Sequence, residues 1–114
     1  MKLATVKIDD YESAGIVLSN GILPLKEVNA LFKTQFPLSL SELINGNHIQ
    51  ELKKLFDRSA PSATIPFQDI QFAPPYRRPG KIWGIGLNYS EHASDLEVSI
   101  PEQPASFMKP ATTI

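Results

Sequence analysis

Polar and apolar residues alternate through Lys2-Leu3-Ala4-Thr5-Val6-Lys7-Ile8. A period of two is what a half-buried strand produces, because successive side chains point to opposite faces. Residues 14–18 form a second short apolar run with β-branched members, and Ile22-Leu23-Pro24-Leu25 forms a third after the turn dipeptide Asn20-Gly21. With turn-like residues at 9–13, the first 25 residues predict a small antiparallel meander, in which Pro24 suits only an edge or a strand end.

From Leu25 the period lengthens. Leu25, Val28, Leu31 and Phe32 fall on one helical face, and Pro37 ends that helix. Ser39 predicts the N-cap of a second helix, with Glu42 completing a capping box and Gly46 as the stop. Asn47 then predicts the cap of a third helix over 48–56, whose stripe is Ile49, Leu52, Leu55 and Phe56. Strands followed by helices make residues 1–58 a small α+β domain. Residues 59–80 hold five of the ten prolines, each lacking a backbone donor, and read as a linker with one short strand possible at 67–72.

Residues 81–114 open a new segment. Lys81-Ile82-Trp83-Gly84-Ile85-Gly86-Leu87 reads as a buried strand ending where backbone must approach something closely. Residues 88–96 have helical character with Asn88 or Ser90 as caps, and Ala105-Ser106-Phe107-Met108-Lys109 is a short strand closed by Pro110.

A 42% hydrophobic and 20% charged composition is that of a globular chain, which excludes a disordered tail. Eleven basic residues balance twelve acidic ones, so neither nucleic acid nor an anionic membrane is expected as partner. The absence of cysteine removes disulfides, thiolate metal sites and cysteine nucleophiles. No stretch approaches the roughly 20 apolar residues of a membrane span, and the start lacks a signal-peptide core, so a cytoplasmic protein is expected.

His92 and Asp95 stand three residues apart, which on a helix puts both on one face. A carboxylate bonded to one imidazole nitrogen fixes the tautomer and leaves the other nitrogen able to accept a proton. Lys109 adds a cation that could steady an oxyanion. Glu91 and Glu97 share that helical face less well. The same spacing is also that of an ordinary solvated face, and spacing does not separate the two. Gly84-x-Gly86 lacks the third glycine and the immediate helix of a dinucleotide fingerprint, which excludes a Rossmann reading. His48 reads as a surface or capping residue, and Arg77 and Arg78 as solvated linker residues.

The segment from Lys81 to His92, followed by Pro104-Ala105-Ser106-Phe107-Met108-Lys109-Pro110, resembles the start of the catalytic domain of the fumarylacetoacetate hydrolase family. There a strand ends in G-x-N-Y-x-x-H and a short strand reading F-x-K-P follows. The resemblance is to members of the 2-hydroxyhepta-2,4-diene-1,7-dioate isomerase and acylpyruvate hydrolase type, and to their N-terminal portion. It implies an α+β chain: a small N-terminal α+β domain (1–58), a Pro-rich linker (59–80) and a truncated mixed-β catalytic domain with its first strands and lid helix (81–114). It implies that His92 belongs to an acid/base dyad on that lid, with Asp95 where the family commonly has glutamate. Lys109 resembles the lysine near the substrate's oxygens, and Gly86, Asn88 and Tyr89 match positions that shape the strand-to-lid turn around substrate.

Family members bind magnesium or manganese through a Glu-x-Glu pair and an Asp, which nothing here matches, so no metal ligand is assigned in this chain and the chain alone is expected to be inactive. The implied function is that of a hydrolase, isomerase or decarboxylase acting on a small β-diketo or 2-oxo/2-hydroxy-dienoic acid, in catabolism of aromatic compounds. The implied partners are a dicarboxylate or acylpyruvate-like substrate and a second copy in a homodimer. The rival expectation is a noncatalytic binding or interaction module derived from such an enzyme. Unpaired strand edges at 81–87 and 105–109 would invite self-association in a fragment, whereas an independent module should be a stable monomer.

Overall fold

The opening alternation becomes an inner strand of a five-stranded antiparallel sheet. The computed structural model describes residues 1–59, 61–86, 103 and 105–113. The chain divides into two units, Met1–Tyr76 and Arg77–Ile114, and is α+β in class.

In the first unit β1 (Lys2–Ile8), β2 (Tyr11–Leu18) and β3 (Gly21–Pro24) form the expected meander. Ile8 pairs with Tyr11, so the turn is only Asp9-Asp10, and Asp9 takes φ 50°, a left-handed conformation that aspartate tolerates. The second strand therefore starts three residues earlier than its apolar run suggests. Leu18 pairs with Gly21, which places the next turn at Ser19-Asn20 and makes Gly21 the first strand residue. Gly21 has φ 157°, and a Cβ there would run into the Ile65 carbonyl. Pro24 ends β3 opposite Gly15. Beyond it the Ala14 N–H donates to the Leu38 carbonyl at 2.6 Å, so the chain after the first helix replaces the bond that β3 no longer supplies.

Three helices follow: α1 (Leu25–Phe32), α2 (Leu40–Asn45) and α3 (Ile49–Arg58). The core joins Ala14, Ile16 and Leu23 of the sheet to Leu25, Val28, Phe36, Leu40, Leu43 and Leu52, all buried. Leu31 departs from the expected face and is 59% exposed. At 3.6 residues per turn it lies about 60° past Val28, beyond the stripe that Leu25, Val28 and Phe32 share.

The predicted caps are replaced by backbone closures. Ser39 stands at the N-cap of α2, yet its hydroxyl lies 2.8 Å from that of Ser41 and no capping box forms. Asn47 does not cap α3. It adopts φ 58° and closes α2, with its own N–H on the Ile44 carbonyl (3.1 Å) and the His48 N–H on the Leu43 carbonyl (3.1 Å). This is the paired bonding of a helix C-terminus that ends in a left-handed residue, a role asparagine can fill. His48 becomes the residue before α3.

Residues 59–80 do more than link. β4 (Ile65–Pro66) pairs with β3 and β5 (Gln71–Ala73) pairs with β1, giving the order β4-β3-β2-β1-β5 with a 3₁₀ turn at Phe67–Asp69 between them. The prolines permit this because both strands are short and lie at the two edges, where a missing N–H removes no ladder bond.

In the second unit β6 (Ile82–Gly86) and β7 (Ala105–Lys109) form an antiparallel ribbon, followed by a 3₁₀ turn at Ala111–Thr113. The expectation of a buried strand is corrected in one respect. Trp83 and Ile85 are 64% and 63% exposed, because β6 has one partner strand and no covering layer among the described residues.

Candidate functional site

The register of the ribbon decides which residues share a face. Ile82 pairs with Lys109, Trp83 with Met108, Gly84 with Phe107, Ile85 with Ser106 and Gly86 with Ala105. Directly opposed residues of an antiparallel pair lie on one side of the sheet, and the side alternates along each strand. One face therefore carries Ile82, Gly84 and Gly86 with Ala105, Phe107 and Lys109. The other carries Trp83 and Ile85 with Ser106 and Met108, and is the apolar one.

Of the site residues expected from sequence, Gly86 and Lys109 are on the first face, near opposite ends of the ribbon. Gly86 closes β6, so the chain toward residues 88–92 leaves from its end, and Lys109 is the last residue of β7. His92, Asp95, Asn88 and Tyr89 lie outside the described residues, as do Glu91, Glu97 and the expected lid helix.

Between the two marked positions lies a contact that sequence reading did not single out. The Phe107 ring sits on Gly84: a Cβ there would come within 2.7 Å of both Cε atoms and closer still to Cζ. Covering a strand glycine with a cross-strand aromatic ring is a recognised way to pin register where a side chain is missing. The Lys109 ammonium lies over the same ring, 5.9 Å from its centroid. Its side chain is thus turned back along β7, toward the Gly86 end. The signal was present in the sequence as Gly84 and the F-x-K spacing, but only register shows that the glycine and the phenylalanine are opposed.

The described residues do not build the oxygen-ligand site that the resemblance implies. Among them no three histidine, aspartate or glutamate side chains converge, and a hard cation needs several such oxygens. Grooves open on the first unit among its described residues. One of about 370 Å³ is lined by Asp9, Tyr11, Lys26 and Glu27 among others, and one of about 240 Å³ by Met1, Ile16, Lys53 and Phe56 among others. Neither contains a residue expected at the site. His48 is half-buried and packs edge-on to Phe36 with centroids 6.2 Å apart; it stands at the N-cap of α3, but its side chain makes no cap bond. No helix among the described residues is long and apolar enough to cross a membrane.

No family model matches the chain. It is 29% identical over 97 residues to the fumarylacetoacetate hydrolase domain-containing protein 2 homolog of Dictyostelium discoideum, a match covering 83% of this chain and 30% of that protein. It is 34% identical over 50 residues to the mitochondrial oxaloacetate tautomerase FAHD2A of Bos taurus, covering 44% of this chain and 16% of the relative. An uncharacterized protein of Archaeoglobus fulgidus is 44% identical over 50 residues, covering 44% of this chain and 20% of its own length. The chain thus spans less than a third of the curated relatives it matches. Among solved structures, a crystal structure of a Mycobacterium smegmatis protein assigned as HpcE matches with a TM-score of 0.61 at 22% identity. That match covers 94% of this chain and 36% of the other, and the likeness is one of fold.

Proposed function

Because its homologues are fumarylacetoacetate hydrolase domain-containing proteins and it fits the N-terminal portion of that family, we propose that this chain supplies the proton-transfer residues of a hydrolase, isomerase or decarboxylase. The substrate is a small β-diketo or 2-oxo/2-hydroxy-dienoic acid, as in breakdown of aromatic compounds. The chain acts within a homodimeric, cytoplasmic enzyme of family length and is inactive alone. The relatives named as oxaloacetate tautomerases make enol–keto conversion of a 2-oxo dicarboxylate the first reaction to assay.

The reading rests on one observation above the others. The two halves of the family-like motif, the strand ending at Gly86 and the strand ending at Lys109, are hydrogen-bonded neighbours, with both marked residues on one face.

His92 accepts a proton, with the Asp95 carboxylate fixing the imidazole tautomer. In tautomerisation the enol O–H bond breaks, the C=C π bond shifts to make the C=O, and a C–H bond forms at the far carbon of the former double bond. In carbon–carbon cleavage the same base takes a proton from water as its oxygen attacks the carbonyl; collapse of the resulting oxyanion breaks the carbon–carbon bond, and the departing enolate takes the proton back at carbon. Lys109 stabilises the negative oxygen in both cases. A magnesium or manganese ion would supply Lewis acidity to the substrate's oxygens in the complete enzyme, through ligands that are absent from this chain.

The test is turnover of enol-oxaloacetate and of an acylpyruvate by a family-length polypeptide carrying this sequence, set against its Lys109→Met variant. Loss of orders of magnitude in kcat with retained folding supports the reading. Equal rates in the two proteins refute it.

A further inference from the structure

Lys109 has a long side chain with four rotatable bonds, and a free ammonium of that kind samples many positions at an entropic cost when it is called to one of them. The ribbon restricts this one. Phe107 lies two residues before it on the same face of β7, and its ring, about half of it exposed, is seated on Gly84 of β6. With no Cβ beneath it, the ring lies low on the strand and offers its upper face as a fixed platform. The Lys109 ammonium lies over that ring at 5.9 Å, within the range of cation–π attraction.

We infer that Phe107 is a positioning residue for Lys109: seated in the gap left by Gly84, it holds the ammonium back along β7, toward the end of β6 where Gly86 stands. This rests on the proposed role of Lys109 at the site, but the contact itself can be measured without any substrate. Gly84 is the second part of the device, since any side chain there lifts the ring. A larger residue at 84 should displace the platform while leaving the phenylalanine in place. Tyrosine at 107 keeps the ring face and should preserve the effect.

The experiment has two readouts. In the 114-residue chain, the ring current of Phe107 should shift the Lys109 ε-methylene protons upfield by NMR. That shift should be lost in Phe107→Leu, reduced in Gly84→Ala, and kept in Phe107→Tyr. In the family-length polypeptide, Phe107→Leu and Gly84→Ala should lower kcat by roughly two- to fivefold with little change in KM, the loss expected from one exposed cation–π contact, and Phe107→Tyr should restore it. No upfield shift in the wild-type chain, or a shift unchanged by Phe107→Leu, overturns the inference whatever the kinetics. An intact, Phe107-dependent shift combined with full turnover by Lys109→Met leaves the positioning standing and removes the catalytic reading of Lys109 instead.

Discussion

Replacing Asn29 by leucine should cost the first unit more than any other surface-side substitution on α1. The asparagine is only partly buried, but one amide group holds together the whole turn after the helix. Its Nδ2 donates to the Phe36 carbonyl at 2.8 Å, and its Oδ1 accepts from the Phe36 N–H at 2.8 Å and from the Thr34 hydroxyl at 2.9 Å. Phe36 is 6% exposed and belongs to the core, so both of its backbone groups lose their partner in a place water reaches poorly. At about 1 kcal/mol net for each bond, the loss is about 3 kcal/mol, with more if the Phe36 amide stays unpaired. Native stabilities are ~5–15 kcal/mol, so this is a large fraction. It corresponds to a fall in Tm of about 12–24 °C for a unit of this size. Leucine keeps the branched shape and the number of side-chain heavy atoms, so no cavity is left to confuse the result. Asn29→Asp keeps the two accepting bonds and loses the donated one, so it should fall between wild type and leucine. Urea denaturation followed by circular dichroism at 222 nm measures both, with an unchanged slope expected. A leucine variant within about 0.5 kcal/mol of wild type would refute the view that Asn29 organises this turn.

The hydroxyl of Thr5 is buried in the sheet without a hydrogen-bond partner, so Thr5→Val should stabilise the chain by about 1 kcal/mol in the same assay; a loss of stability would mean the hydroxyl has a partner after all. Trp83, Ile85 and Met108 present an apolar face on the ribbon, so the 114-residue chain should self-associate as concentration rises. The double substitution Trp83→Lys with Met108→Lys should shift it toward monomer in sedimentation velocity, and an unchanged distribution would show that some other surface drives assembly.

Regular elements were legible in the sequence where local periodicity and tertiary burial agreed. The alternation of Lys2–Ile8 and the apolar spacing of α1 and α3 gave their elements to within a few residues. The failures came where another interaction, local or across the sheet, outvoted the signal that was read. Ser39 and Glu42 have the residue types of a capping box, but Asn47 in a left-handed conformation closes α2 and moves the start of α3. Prolines at 61–79 read as a linker because each breaks regular structure, yet Pro66 and the short β5 sit at sheet edges where that property does no harm. Of the expected site residues only Gly86 and Lys109 fall among the described residues, and it was the paired motif that singled them out in the sequence. The platform of Gly84 and Phe107 was not legible, because opposition across two strands is set by register and cannot be read from spacing along one.

The most direct test of the account is the effect of His92→Ala on turnover of enol-oxaloacetate by a family-length polypeptide, measured together with magnesium affinity. The account predicts a fall of orders of magnitude in kcat with magnesium binding unchanged, because in the role proposed for it His92 moves a proton and holds no metal. Unchanged turnover, or loss of magnesium binding in its place, would contradict it.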